Sequence, residues 1–139
     1  METPVERSEE ITPPQDIIDV EIDDRWFDKI NKNEKVVEIK KNSKTWINIE
    51  KGKLLRIIPK KYKGQTRKEF KVRVIQVNVY KGKDPLFAAL ISEGLDRVLP
   101  GVDTYTEAIE VYLKIGWTSE EIKELGIKAI IIQNSPWGV

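Results

Sequence analysis

Phe70-Lys71-Val72-Arg73-Val74-Ile75-Gln76-Val77-Asn78-Val79-Tyr80 reads as a strand that changes its mind halfway. Apolar residues occupy alternate positions from Phe70 to Val74. Ile75 then follows Val74 directly, and the alternation resumes on Val77 and Val79. A period of two marks a strand with one buried face. A slip of one position within it predicts a bulge, or a bend where a sheet curls toward a barrel.

Upstream, Leu54 to Ile58 and Trp46 to Ile49 read as strands on either side of the tight turn Glu50-Lys51-Gly52-Lys53. Val36 to Lys40 is another, with Val37 and Ile39 on one face and Glu38 and Lys40 on the other. Asp23 or Asp24 caps a short helix whose inward residues are Trp26, Phe27 and Ile30, and Asn31 to Asn33 end it. Before it, Ile18, Val20 and Ile22 alternate with acids as a first strand. Residues 1 to about 15 carry three of the seven prolines and few hydrophobics, and are expected to form a flexible polar leader to one domain over 16–139.

Downstream, Asp84-Pro85 is a cap followed by proline at the first helical position, and Gly94 closes that helix. Thr104 with Glu107, and Thr118 with Glu121, are capping-box spacings that open two more helices, ended by Gly116 and Gly126. Ile127 to Gln133 is greasy on both faces and predicts a central strand. The expected class is α+β: a small curled barrel of five or six strands with helices packed on one side.

Composition removes many chemistries. The 139 residues include no cysteine and no histidine, so disulfides, thiolate nucleophiles and the commonest metal ligand and general base are absent. No metal or other cofactor is expected, and any catalysis must use Lys, Asp, Glu, Tyr, Ser or Thr. No run approaches the ~20 apolar residues that cross a bilayer, and the start is acidic where a secretory signal would be basic. An intracellular, cytoplasmic protein without a membrane partner is the expectation. Eighteen Lys and nineteen Ile beside one Met give a composition often met in heat-adapted proteins.

Charge is segregated along the chain. Met1 to Asp28 holds two basic and ten acidic residues, a net −8. Lys29 to Lys83 holds eighteen and four, a net +14, and Asp84 to Val139 holds four and nine, a net −5. A fold that gathers the middle block on one face would displace counterions from a phosphate backbone, which favours nucleic acid over membrane.

Two groups of residues resemble a known family. Trp26-Phe27-Asp28-Lys29-Ile30-Asn31-Lys32-Asn33-Glu34-Lys35-Val36-Val37-Glu38-Ile39-Lys40 resembles the opening motif of the ASCH domain, a PUA-like barrel, which runs roughly W-x-x-I-x-x-G-x-K-T-V-E-x-R. Glu93-Gly94-Leu95-Asp96-Arg97-Val98-Leu99-Pro100-Gly101, then Glu107 with Tyr112, then Gly126-Ile127-Lys128-Ala129-Ile130, resemble the E-G-L-x-x-V-L-P-G, E-x-x-x-x-Y and G-x-x-A-I signals of an ASCH subgroup. Asn33, Val36 and Lys40 stand where the motif has Gly, Thr and Arg. Asn tolerates the left-handed backbone that Gly would supply, whereas Lys for Arg gives up a planar, bidentate grip.

The resemblance implies a PUA-like barrel that binds RNA in RNA metabolism or translation. On that reading Lys35, Lys40, Lys44, Arg67, Lys68, Lys71 and Arg73 neutralise phosphates, and Trp46 and Tyr62 stack on unpaired bases. It also implies an alternative. Some ASCH proteins resemble an amidohydrolase for acetylated cytidine, in which a lysine, a threonine and a glutamate act; Lys35 matches the lysine, Glu38 replaces the threonine and Glu93 could supply a carboxylate. A ribonuclease or another hydrolase of a modified nucleoside belongs to the same class. The bland readings are an ion pair at the strand entrance for Lys35 and Glu38, core packing for Trp46, and an exposed tyrosine for Tyr62. A third class is a protein-interaction module docking through the acidic helices Tyr105 to Leu125.

Overall fold

The computed structural model describes residues 17–60 and 68–134, and its chain order is β1 (Ile17–Ile22), α1 (Asp24–Asn31), β2 (Val37–Lys41), β3 (Leu54–Pro59), β4 (Phe70–Tyr80), α2 (Pro85–Glu93), α3 (Leu95–Val98), α4 (Tyr105–Lys114), α5 (Ser119–Leu125) and β5 (Ile127–Gln133). The expected leader, the greater part of the basic loop, Tyr62 and Arg67 lie outside the described residues. The five strands form one curled sheet, half of a barrel, in the order β1-β3-β4-β5-β2. β1 runs parallel to β3 and every other pairing is antiparallel.

The slip in the long strand is a bulge. Val74 pairs with Ile132 and Gln76 with Ile131, so Ile75 stands outside the ladder. That extra residue keeps Val77 on the same face as Val72 and Val74, where Ile130 and Ile132 meet them. It also turns Asn78 and Tyr80 to the other face, toward α2. The inner face continues through Leu55, Ile57 and Val20, and α1 closes over it with Trp26, Phe27 and Ile30, the Phe27 ring standing edge-on to Phe70 at 5.1 Å. α2, α3 and α5 pack against β5 and β2. β5 therefore buries Ile127 through Ile132 without a break, as its two-sided apolar run predicted.

Helix boundaries follow their sequence signals. The side chains of Asp23, Asp84, Thr104 and Thr118 each accept a backbone N–H of the helix they precede, and Thr118 with Glu121 completes a capping box.

One expected strand does not form, and the described residues hold five strands, the lower of the two expected counts. Trp46 to Ile49 forms a turn in which Trp46 and Ile47 both donate their amides to the Ser43 carbonyl. The reason lies in burial three residues apart: Trp46 and Ile49 face the core, while Ile47 is 53% exposed. The Lys128 ammonium fixes this turn by donating to the carbonyls of Trp46 (3.1 Å) and Ile47 (2.7 Å). Gly52 (φ +96°) still makes the tight turn, but it leads from this segment into β3 and joins no hairpin. The stretch after Gly94, with no element expected, forms the one-turn α3.

Candidate functional site

The half-barrel is open between its two edge strands. A cleft of about 370 Å³ fills that gap, with the end of β1 (Glu21, Ile22) on one side, Glu38 and Lys40 of β2 on the other, α4 as the third wall, and Trp26 and Lys35 at the floor. Strand pleat decides which β2 residues reach it. Val37 and Ile39 are buried against the helices, so Glu38 and Lys40 project from the opposite face.

Lys35 is 2% exposed, in the segment that links α1 to β2. Its ammonium donates to the Val37 carbonyl at 2.8 Å and to the Val98 carbonyl, and lies 3.1 Å from Glu38 Oε1. Three N–H bonds thus have three acceptors. Glu38 Oε2 lies 3.2 Å from Lys40 Nζ, which rests 5.6 Å above the Trp46 ring. Trp26 lies beneath two cations, Arg25 at 4.4 Å and Lys35 at 5.8 Å from its ring centroid.

These contacts set the protonation states. Burial lowers the pKa of Lys35 more than the neighbouring Glu38 raises it. Burial alone would raise Glu38, but the charges and hydrogen bonds of Lys35 and Lys40 reverse this and hold its carboxyl below the ordinary value. Burial, followed by the charge of Glu38, pushes the Tyr112 phenol well above its ordinary value. At neutral pH the cleft accordingly presents an ionised carboxylate at Glu38 and an O–H donor on Tyr112, with Lys40 Nζ beside the carboxylate.

The cleft is electrically balanced. Arg25, Lys35, Lys40, Lys60 and Lys114 face Glu21, Asp23, Glu38, Glu107 and Glu110 around it. The +14 block does not converge there. Of the residues expected to act, Lys35, Glu38 and Lys40 are brought together. Glu93 is 5% exposed but lies between α2 and β4, where one carboxylate oxygen accepts from Asn78 Nδ2 (2.6 Å) and from the Tyr80 hydroxyl, and Arg97 donates to its backbone carbonyl at 3.1 Å. It does not line the cleft. Trp46 is buried in the core and does not line the cleft. Lys44, Lys68, Lys71 and Arg73 are exposed away from the cleft.

Sequence reasoning left out Trp26 and Tyr112 as site residues, although both stood in the motifs that carry the resemblance. The signal for Tyr112 was its spacing from Ala108: the pair lies on one helix face and both are buried. Among the described residues no group of three or more His, Cys, Asp or Glu could hold a metal, and no helix is long and apolar enough to cross a membrane.

Comparison with known proteins yields structures without assigned roles. No family model matches the chain, and no curated protein does. Among solved structures, the crystal structure of hypothetical protein PH0355 is 26% identical and superposes with a TM-score of 0.67 over 84% of this chain and 97% of that one. The solution structure of protein PF0455 from Pyrococcus furiosus is 27% identical, with a TM-score of 0.61 over 84% and 96%. This curled sheet with its helices is therefore a recurrent small fold that accounts for nearly the whole of both neighbours.

Proposed function

We propose that the chain is an ASCH-type, PUA-like module that recognises RNA by taking one unpaired nucleotide into the cleft between β1 and β2. The observation that carries this reading is convergence. Trp26, Lys35, Glu38 and Lys40 come from one of the resembling motifs, Leu99 from the second, and Glu107 and Tyr112 from the third, and all line this one cleft. Such pockets begin at about 300 Å³ for small ligands. Unpaired bases are read by hydrogen bonds along their edges and by aromatic contact. Glu38 offers acceptors, Lys40 and Tyr112 offer donors, and Trp26 and Tyr112 supply aromatic surface. The balanced charge suits one nucleoside unit better than a length of phosphate backbone.

Isothermal titration with single nucleosides, followed by amide shifts of the cleft residues, tests the reading. One equivalent should bind, and Lys40→Ala should weaken it at least about tenfold, since a charged hydrogen bond contributes about 1.5–3 kcal/mol. Nucleosides at millimolar concentration that move no cleft resonance would remove the proposal.

A second reading rests on the ionised state of Glu38. A carboxylate beside the ammonium of Lys40 could accept a proton from water while Lys40 stabilises the oxyanion of an amide or ester under attack. Lys35, with its three N–H bonds engaged, then acts as an anchor and not as base or nucleophile, which departs from the role the resemblance implied. Hydrolysis of acetylated cytidine that disappears in Glu38→Gln, with nucleoside binding retained, is the expected result if the cleft is catalytic.

A further inference from the structure

We infer that the outer side of the β3–β4 pair is a second, separate surface that grips the phosphate backbone of single-stranded RNA. The inference rests on the RNA reading of the cleft and divides the work: base recognition there, backbone contact here.

Register places the cations. Lys71 stands opposite Arg56, and Arg73 opposite Leu54, on the side of the sheet that Val72, Val74, Leu55 and Ile57 turn away from. On that side the helices cover β5, β2 and the Asn78–Tyr80 end of β4, while Lys71 and Arg73 stay exposed. The turn at Lys51 to Lys53 is laced onto the same strand, with Gly52 donating to the Val74 carbonyl at 2.8 Å and Arg73 Nη1 to the Gly52 carbonyl at 3.4 Å. Four cations, Lys51, Lys53, Lys71 and Arg73, thus share one edge of the fold.

Like Lys32, Lys44, Lys68, Lys81 and Lys83, and unlike six other cations of the middle block, they have no acidic partner among the described residues. Lys29, Lys35, Lys40, Lys41, Arg56 and Lys60 each pair with an acid. Lys51, Lys53, Lys71 and Arg73 pair with none among the described residues, and the nearby acids Asp19 and Glu69 are both engaged by Arg56. Unpaired cations release bound counterions from a polyanion without first breaking an ion pair, and the guanidinium of Arg73 adds a fork matched to phosphate oxygens. Of the strand's two large exposed apolar side chains, Val79 lies toward its far end and only the bulged Ile75 stands near them, which favours a polyanion over a lipid surface.

The test is fluorescence anisotropy with a labelled single-stranded RNA of about ten nucleotides at several salt concentrations, with anionic phospholipid vesicles as a parallel arm and nucleoside titration as the control on the cleft. Lys71→Glu/Arg73→Glu should weaken RNA binding at least tenfold and reduce the slope of log affinity against log salt by about 1.4, at ~0.7 for each phosphate no longer neutralised, while nucleoside binding is unchanged. Lys71→Gln/Arg73→Gln should show the same reduced slope, which separates the removal of a cation from the repulsion of an added acid. RNA affinity and slope equal to wild type in both variants would overturn the inference, as would wild-type protein that binds nucleoside or vesicles but no RNA. RNA binding that these variants weaken, in a protein that takes no nucleoside, would support the surface and remove the cleft reading instead.

Discussion

Lys35 carries three protons on its ammonium, and the fold gives each an acceptor at the junction of α1, α3 and β2. A buried charge satisfied in this way is costly to leave half-made, because removing one partner strands the other. Lys35→Met keeps much of the volume but leaves Glu38 Oε1 and two carbonyls without their donor, and should cost about 3–5 kcal/mol in urea denaturation. The pair Lys35→Met/Glu38→Gln should recover part of that loss in a double-mutant cycle. Acid sensitivity follows from Glu38. Its carboxyl is depressed in the fold, so the unfolded chain takes up the proton first; the contribution is whole above the unfolded pKa of about 4.3 and drains away as pH falls through the folded value. Denaturation profiles from pH 6 to 2.5 should show this loss in the wild type and a flatter acid limb in Glu38→Gln. Lys35 gives the same sign in another window: its depressed pKa means stability rises as pH climbs from the folded value toward the unfolded value of about 10.4.

At the scale of the element, two features bend the chain against its local preference. Gly126 (φ +81°) links α5 to β5, and a Cβ there would stand 3.0 Å from the Tyr80 carbonyl oxygen. Gly116 (φ +106°) has open space around the same atom. Gly126→Ala should therefore lower stability by about 1–3 kcal/mol for the backbone conformation alone, and by more than Gly116→Ala, a ranking that thermal unfolding of the two variants can read directly. Deleting Ile75 would remove the bulge and leave Val74, Val77 and Val79 alternating on one face, in unbroken register with β5. That variant should keep a dispersed amide spectrum. The bulge was legible because Val74 and Ile75 break a period of two within a long strand. The helix caps were legible because Asp and Thr sit where orphan amides need an acceptor. The Trp46 turn was not: Trp-Ile-Asn-Ile has a strand's spacing, and only Lys128, far along the chain, converts it by taking two of its carbonyls. Glu93 was misplaced for a similar reason, since the residues that claim it, Asn78 and Tyr80, owe their direction to the bulge.

For the whole molecule, sequence segregation of charge turned out to be a poor guide to spatial segregation. The +14 block spans α1 to the end of β4, and a curled sheet sends alternate residues of those strands to opposite sides. Lys40 goes into the cleft while Lys71 and Arg73 go to the open side of β3–β4. Burial, in contrast, was readable from apolar runs, and it orders local stability. β5, covered on both faces, should hold the slowest-exchanging amides at Ile130 to Ile132, whereas the Ser43 to Ile49 turn should exchange early. Hydrogen exchange followed residue by residue would reveal a different core if that order were inverted.

The strand order also governs birth from the ribosome. Among the described residues, β2 hydrogen-bonds to no strand but β5, which follows the other strands in the chain, and β4 has only β3 until β5 arrives between β4 and β2. A nascent chain can thus assemble little more than a three-stranded fragment while residues 37–41 wait without a partner for nearly ninety residues of translation. Exposed strand edges of that kind invite unwanted pairing. Chains stalled before Ile127 should therefore be insoluble or chaperone-bound, and addition of the final seven-residue strand should release them.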